Sequence, residues 1–483
     1  MEHFLPEIFW HDREGLLSVN IHPKCEEGKI KYHIATCSML KEVRIWELMF
    51  CKLYEDAPTM QLIVSFIADL RGHNQSINTL QFSPNPEVKF LASGDSDGRL
   101  VLWSLSDTPP GPPEDPNLPP NKENWIRQKV IHHDSDVTCV AWDKRGGKIA
   151  SVGRDNNLLV HEVPSGKRIL SVYNLREFPN GVAWDPAGKW IITMSTDRRM
   201  EIIDSKKGTK LKMLYGVDLP ALTISGHTIQ PKAYKILHDD QMFSFKRVPS
   251  FSPCGQLIVL PCGHIESADR NIYGNLIYRR DQFLEKDRPS WIVPCPKVSF
   301  LIRMCPILLE LDKESPHNYS GLPHRVLWLA LTDNSVIFYD SQHPFPIAYV
   351  ENMHYANLSD ASWSEDGSLV AISSLEGYCS FLRISLSQWG NVLSVIPEIE
   401  VTPQKVEKKS KGKRKQNILL AATIPPAPPV LKSPKPRTPS LHKFFSKDKA
   451  AKTPSSINRS GDESPRSSTE RPQPKRAKII TLD

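Results

Sequence analysis

Residues 72–105 read GHNQSINTLQFSPNPEVKFLASGDSDGRLVLWSL. A Gly-His pair opens the stretch, three short alternating apolar runs follow with turn residues between them, and Trp103 closes the last run. That rhythm describes one four-stranded blade of a β-propeller. It returns as HHDSDVTCVAWDKRGGKIASVGRDNNLLVHEV at 132–163, GVAWDPAGKWIITMSTDRRMEIID at 181–204 and HYANLSDASWSEDGSLVAISSLEGYCSFLRI at 354–384. Fainter copies fill the intervals 16–48, 245–280 and 299–340, which makes seven. The residue expected just before the first turn of each is Ile21, Phe82, Trp142, Trp184, Phe251, Met304 and Trp363. These steps are wider than the ~40–45 residues that a plain repeat needs. The excess is expected as inserted loops near 106–124, 208–238, 264–274 and 310–323, where a rigid repeat scaffold usually carries its partner specificity.

The expected architecture is therefore all-β: a seven-bladed WD40 β-propeller over 1–392, followed by a disordered basic tail over 393–483. The chain has 483 residues and a net charge of +7, but that sum hides a division. Residues 401–483 hold 20 Lys plus Arg against 6 Asp plus Glu, and 12 of the 41 prolines, so the remainder is mildly acidic. Such a tail buries too little apolar surface to offset its ordering entropy. Its charge points to import receptors or polyanions. Nine cysteines without a C-x-x-C pair argue against a disulfide framework or zinc ribbon and for reduced thiols. No apolar run reaches the ~18–20 residues that cross a bilayer, and the acidic N-terminus is unlike a signal peptide, so no membrane contact is expected.

In WD40 proteins, which these repeats resemble, a His, a Ser or Thr, an Asp and a Trp form one buried hydrogen-bonded chain in each blade. Here His73, Ser93, Asp97 and Trp103 occupy those places, and the resemblance makes them structural. Copies three and seven keep His133 and His354, while the closing Trp becomes His161 and Leu382; copies four and six carry Ile203 and Tyr339 there. The chain has no G-x-x-x-x-G-K-[ST], G-x-S-x-G, H-E-x-x-H or G-x-G-x-x-G, so neither a catalytic residue, a metal site nor a cofactor is expected.

Several stretches are more particular: EIFWHD at 7–12, NKENW at 121–125, WDPAGK at 184–189, AYKILHDDQMFSFKR at 233–247, CPKVSFLIRMCPILLEL at 295–311 and PFPIAYVENMHYANLSDASWSEDGSLVAISSLEGYCSF at 344–381. Together they resemble the middle, WD-repeat subunits of chromatin assembly factor 1. That resemblance implies a non-catalytic nuclear scaffold within a three-subunit histone chaperone, with a large and a small subunit as partners. It would assist deposition of new histone H3-H4 on DNA during replication and repair. No run of four acidic residues occurs, so charge neutralisation of the histones falls to the large subunit. The alternative is an adaptor or substrate receptor of another nuclear complex, in ubiquitin ligation or RNA processing; a replication-independent histone regulator would share only the repeats and lack NKENW.

The tail adds three short signals. Basic clusters at Lys408, Lys409, Lys411, Lys413, Arg414 and Lys415, and at Lys475, Arg476 and Lys478, suit nuclear import, or loose salt-sensitive contact with DNA phosphates. By resemblance, KRAKIITLD offers Lys475, Arg476, Lys478, Ile479 and Leu482 to the anti-silencing-function histone chaperone as an added strand. It lacks the Pro usual before the final Leu, and RKQNILL at 414–420 is a weaker copy. TPSLHKFFSK at 438–447 resembles the box that docks on the replication sliding clamp through Leu441, Phe444 and Phe445, with Thr438 where Gln is usual. Ser-Pro or Thr-Pro pairs at Thr402, Ser433, Thr438, Thr453 and Ser464 are phosphorylation candidates, and a phosphate adds about −1.5 to −2 charge beside these lysines.

Overall fold

The computed structural model describes residues 1–22, 31–52, 60–87, 89–113, 115–224, 226–267, 271–397 and 478–481. They form seven antiparallel sheets arranged as the blades of a propeller. Blade 1 is Leu16–Ile21, Lys31–Ser38, Glu42–Lys52 and Met60–Arg71. Blade 2 is Ile77–Phe82, Phe90–Asp95, Arg99–Ser106 and Asn124–His132. Blade 3 is Val137–Trp142, Lys148–Gly153, Leu158–Glu162 and Arg168–Val172, and blade 4 is Pro179–Trp184, Trp190–Ser195, Arg199–Asp204 and Lys210–Leu214. Blade 5 is Ser250–Phe251, Leu257–Glu266, Asn271–Arg279 and Trp291–Cys295. Blade 6 is Leu301–Glu310, His324–Leu331, Ser335–Asp340 and Pro346–Glu351, with Lys478–Thr481 added as a fifth strand.

Blade 7 takes three strands, Leu358–Trp363, Leu369–Ser374 and Cys379–Arg383, from the end of the repeats and its outer strand, Glu2–Phe4, from the N-terminus. The register Glu2↔Arg383, His3↔Leu382, Phe4↔Phe381 joins the two ends of the ring. That pairing satisfies an outer edge which would otherwise stand open.

Burial falls outward from the axis. The innermost strands of blades 3 and 7 are buried throughout, whereas the outer strands Arg168–Val172 and Lys210–Leu214 are largely exposed. The expected pre-turn residues end the innermost strands in six blades; Met304 instead lies inside the longer Leu301–Glu310, whose register shifts between Met304 and Leu308. In blades 1, 2, 3, 4 and 7 a bulge falls at the same place, two residues into the innermost strand. A bulge re-aims the side chain that follows it.

The insertions take three forms. The 208–238 stretch folds into two small two-stranded sheets, Val217–Leu219 with Lys232–Tyr234 and Leu222–Ile224 with His227–Ile229. The stretch expected as a loop at 264–274 is instead a continuation of blade 5, whose second and third strands stay paired out to Glu266↔Asn271 because each carries apolar residues to its tip. The 310–323 stretch folds back on blade 6, where Asp312 N–H donates to Gln342 Oε1 at 2.9 Å. Beyond blade 7 the chain returns along blade 6, with Leu393 N–H donating to the Leu308 carbonyl at 2.8 Å. The eight described cysteines are free, seven of them buried.

Candidate functional site

The polar chain of blade 2 closes on Asp95, not Asp97. His73 Nε2 is 2.6 Å from Ser93 Oγ, Trp103 Nε1 donates to the same oxygen at 2.8 Å, and His73 Nδ1 lies 2.7 Å from Asp95 Oδ2. Asp95 is fully buried at the end of its strand, and its other oxygen accepts the N–H groups of Asp97 and Arg99. Asp97 sits on the exposed turn, where it meets Asn74 and Arg99. In blade 3 the partner of His133 is Asp155 at 3.0 Å, four residues after Ser151 rather than two.

Blade 1 holds a complete chain that the repeat pattern missed. His11 Nε2 is 3.0 Å from Thr36 Oγ1, Trp46 Nε1 donates to Thr36 Oγ1 at 2.9 Å, and His11 Nδ1 faces Glu42 at 3.6 Å. Burial lowers the pKa of His11 despite the Glu42 carboxylate. The visible signal is the ten-residue step from Thr36 to Trp46, equal to that from Ser93 to Trp103. In blade 7, His354 bonds to Ser380 Oγ at 2.9 Å and faces Glu376.

The centre of the ring is filled. Asp360, placed by the blade 7 bulge, accepts from Ser18 of blade 1, from Arg303 of blade 6 at 2.8 Å and from Lys246 at 3.2 Å. Lys246 Nζ also donates to the Leu17 carbonyl at 2.6 Å. Burial alone would raise the Asp360 carboxyl, but Lys246 and Arg303 hold it below its ordinary value. Asn180 donates to the Phe245 carbonyl, so residues 243–247 cross the channel mouth between blades 4 and 7. The histidines, aspartates and lysine that might have suggested chemistry are thus partners of one another within the scaffold.

The motifs carrying the resemblance hold the decorations in place. In NKENW, Asn121 accepts from Asp69 N–H at 2.9 Å and donates to the Asp69 carbonyl, while Lys122 N–H donates to the Ile67 carbonyl at 2.7 Å. With Arg71–Asp115 at 3.2 Å, these contacts pin the blade 2 insertion to the outer strand of blade 1. In WDPAGK, Asp185 caps its own turn and takes a bidentate pair from Arg280 of blade 5 at 2.7 and 2.6 Å. The double hairpin at 217–234 and blade 5 enclose a cleft of about 780 Å³, lined by Leu222, Ile224, Arg279, Arg288, Trp291 and Tyr319.

Of the tail residues singled out, Lys478 and Ile479 lie in the added strand of blade 6. Lys475, Arg476, Leu482, Leu441, Phe444, Phe445, the cluster 408–415 and the Ser/Thr-Pro sites Thr402, Ser433, Thr438, Thr453 and Ser464 lie outside the described residues.

A closed seven-bladed ring with a filled channel and pinned surface insertions defines a WD-repeat interaction platform. The model of the CAF1B/HIR1 β-propeller domain matches residues 1–388, and the chain belongs to this family. It is 33% identical over 431 residues to the CAF1B-type subunit of chromatin assembly factor 1 from Gallus gallus, covering 86% of this chain and 73% of that one. The Saccharomyces cerevisiae protein of the same name is 28% identical, covering 80% and 86%. Protein HIR1 of Aspergillus oryzae is 24% identical over 69% of this chain but only 31% of its own length.

Proposed function

We propose that this chain is the non-catalytic propeller subunit of a chromatin assembly factor 1 complex in the nucleus, scaffolding delivery of new H3-H4 onto DNA in replication and repair. One observation carries the reading: likeness to the CAF1B-type proteins runs past the propeller and spans most of both chains, whereas likeness to HIR1 spans a third of that protein. The pinned insertions support it, since they are rigid, distinctive surfaces of the kind a large subunit reads. The tail is the recruiting arm. Lys475, Arg476, Lys478, Ile479 and Leu482 offer a strand to the anti-silencing histone chaperone, Leu441, Phe444 and Phe445 a plug to the sliding clamp, and the basic clusters an import signal.

Mass spectrometry of proteins recovered with the tagged chain from nuclease-treated nuclear extract tests this, comparing the full chain with residues 1–392. The large subunit and H3-H4 are expected with both, and the chaperone and clamp with the full chain alone. Recovery of ligase or RNA-processing components without histones would overturn the proposal.

A further inference from the structure

The fifth strand of blade 6 identifies a binding site. Lys478–Thr481 runs antiparallel to the outer strand Pro346–Glu351, with Glu351↔Lys478, Val350↔Ile479, Tyr349↔Ile480 and Ala348↔Thr481 in register. The edge it occupies differs in chemistry from the other outer strands. Arg127 and Lys129 lie in that of blade 2, Arg168 in that of blade 3, and Lys210 and Lys212 in that of blade 4. Cations of this kind discourage strand addition and repel a basic segment. Blade 5 has Pro294 inside its outer strand, which removes a donor, and blade 1 has Arg71 and is overlain by the pinned insertion. Blade 7 offers only the three residues Glu2–Phe4. PIAYVE in blade 6 has no cation, keeps its proline at the first position and ends on Glu351, opposite Lys478.

We infer that the outer edge of blade 6 is a strand-accepting site for an extended basic-aliphatic segment, and that its resident occupant is the chain's own Lys478–Thr481, held as an exchangeable latch. The register sets an acidic residue opposite a basic one at Glu351 and Lys478, and an aromatic opposite a β-branched residue at Tyr349 and half-buried Ile480; pairs of these kinds each add a few tenths to ~1 kcal/mol. Four residue pairs would bind weakly between separate molecules. Residues 398–477 tether this segment to the propeller, and a tether of that length gives an effective concentration on the order of 1 mM or somewhat below. The site is therefore filled in cis, yet a longer segment of like chemistry on another chain can displace the latch. If the recruiting role proposed above for Lys478 and Ile479 holds, the latch withholds that strand until it is displaced.

Hydrogen–deuterium exchange of the full-length chain alone tests the latch, so its outcome does not depend on any histone chaperone. Ile480→Pro removes a strand donor at a site remote from the propeller core. Amides of 346–351 are expected to exchange about tenfold faster in this variant, with the other blades unchanged. Excess peptide of sequence 472–483 is expected to restore their protection, whereas the same peptide bearing the proline is not. Equal exchange of 346–351 in the wild-type chain and the variant would overturn the inference, as would failure of the peptide to protect the variant. Failure of the recruiting reading would show separately, as absence of chaperone binding to the Ile480-intact peptide.

Discussion

The Lys246 ammonium lies 3.2 Å from the Asp360 carboxylate, with both side chains buried in the cavity where the innermost strands converge. Asp360 belongs to blade 7 and Lys246 to the segment leading into blade 5, and through Ser18 and Arg303 the carboxylate also reaches blades 1 and 6. One acidic group therefore ties together parts of the ring far apart in sequence. Asp360→Asn leaves two cations facing a neutral amide and is expected to cost about 3–5 kcal/mol in urea unfolding. Lys246→Met leaves Arg303 in place and is expected to cost roughly half as much. Equal losses would show that Arg303 does not share the carboxylate.

Asp95 and Asp97 separate the two possible closures of the blade 2 chain. Asp95→Asn weakens a bond to buried His73 and two turn contacts, and is expected to lower stability by about 2 kcal/mol. Asp97→Asn touches only exposed partners and is expected to stay within ~0.5 kcal/mol of the parent. Chemical denaturation of the two variants checks the order.

How legible these features are depends on how local they are. The Ser93–Trp103 step sits within one blade and is read directly. The matching Thr36–Trp46 step escapes because His11 precedes Thr36 by more residues than His73 precedes Ser93, ahead of where the first copy is expected. Glu2–Phe4 is too short for periodicity to reveal, and its partner strand lies at the other end of the repeats. Nothing local links Lys246 to Asp360. KIIT reads as strand-forming, but which edge it joins is a property of the assembled sheet.

Burial depresses His161 and His3 to about 4, with a smaller push from His133 and Arg168 on His161 and from His354 on His3. Between the ordinary histidine value of about 6.5 and 4 the unfolded chain binds more protons than the folded one. Their contribution is thus full above pH 6.5 and declines as pH falls through this window. Asp360, being depressed, loses its contribution only below the ordinary carboxylate range. His161→Trp removes one of these titrations and is expected to flatten the slope of unfolding free energy against pH over 6.5 to 4. It also sets an indole ten residues after Ser151, the spacing that gives Trp103 its bond to Ser93. An unchanged slope would refute the role of His161.

Gly181 follows the blade 4 bulge and faces the segment that closes the channel. A Cβ there would lie 1.8 Å from the Arg247 carbonyl oxygen and 2.5 Å from its carbon, so backbone must move. Gly181→Ala is expected to cost about 3 kcal/mol and to speed amide exchange of 243–248. An ordinary melting temperature for this variant would show that the segment yields without strain.

Asn121 isolates a surface role from a stability role. Its amide satisfies both the N–H and the carbonyl of Asp69 on the outer strand of blade 1, holding down an insertion that carries Pro112, Pro113 and Pro119. Asn121→Ala breaks that clasp without touching the core. Global unfolding is expected to change by ~1 kcal/mol or less, while limited proteolysis between residues 107 and 120 accelerates several-fold. If the insertion is a surface read by the large subunit, the same variant loses affinity for it while retaining its fold, because a partner must then order the loop that the parent presents already ordered. Accelerated cleavage with full affinity would place the large subunit's contact on another part of the ring.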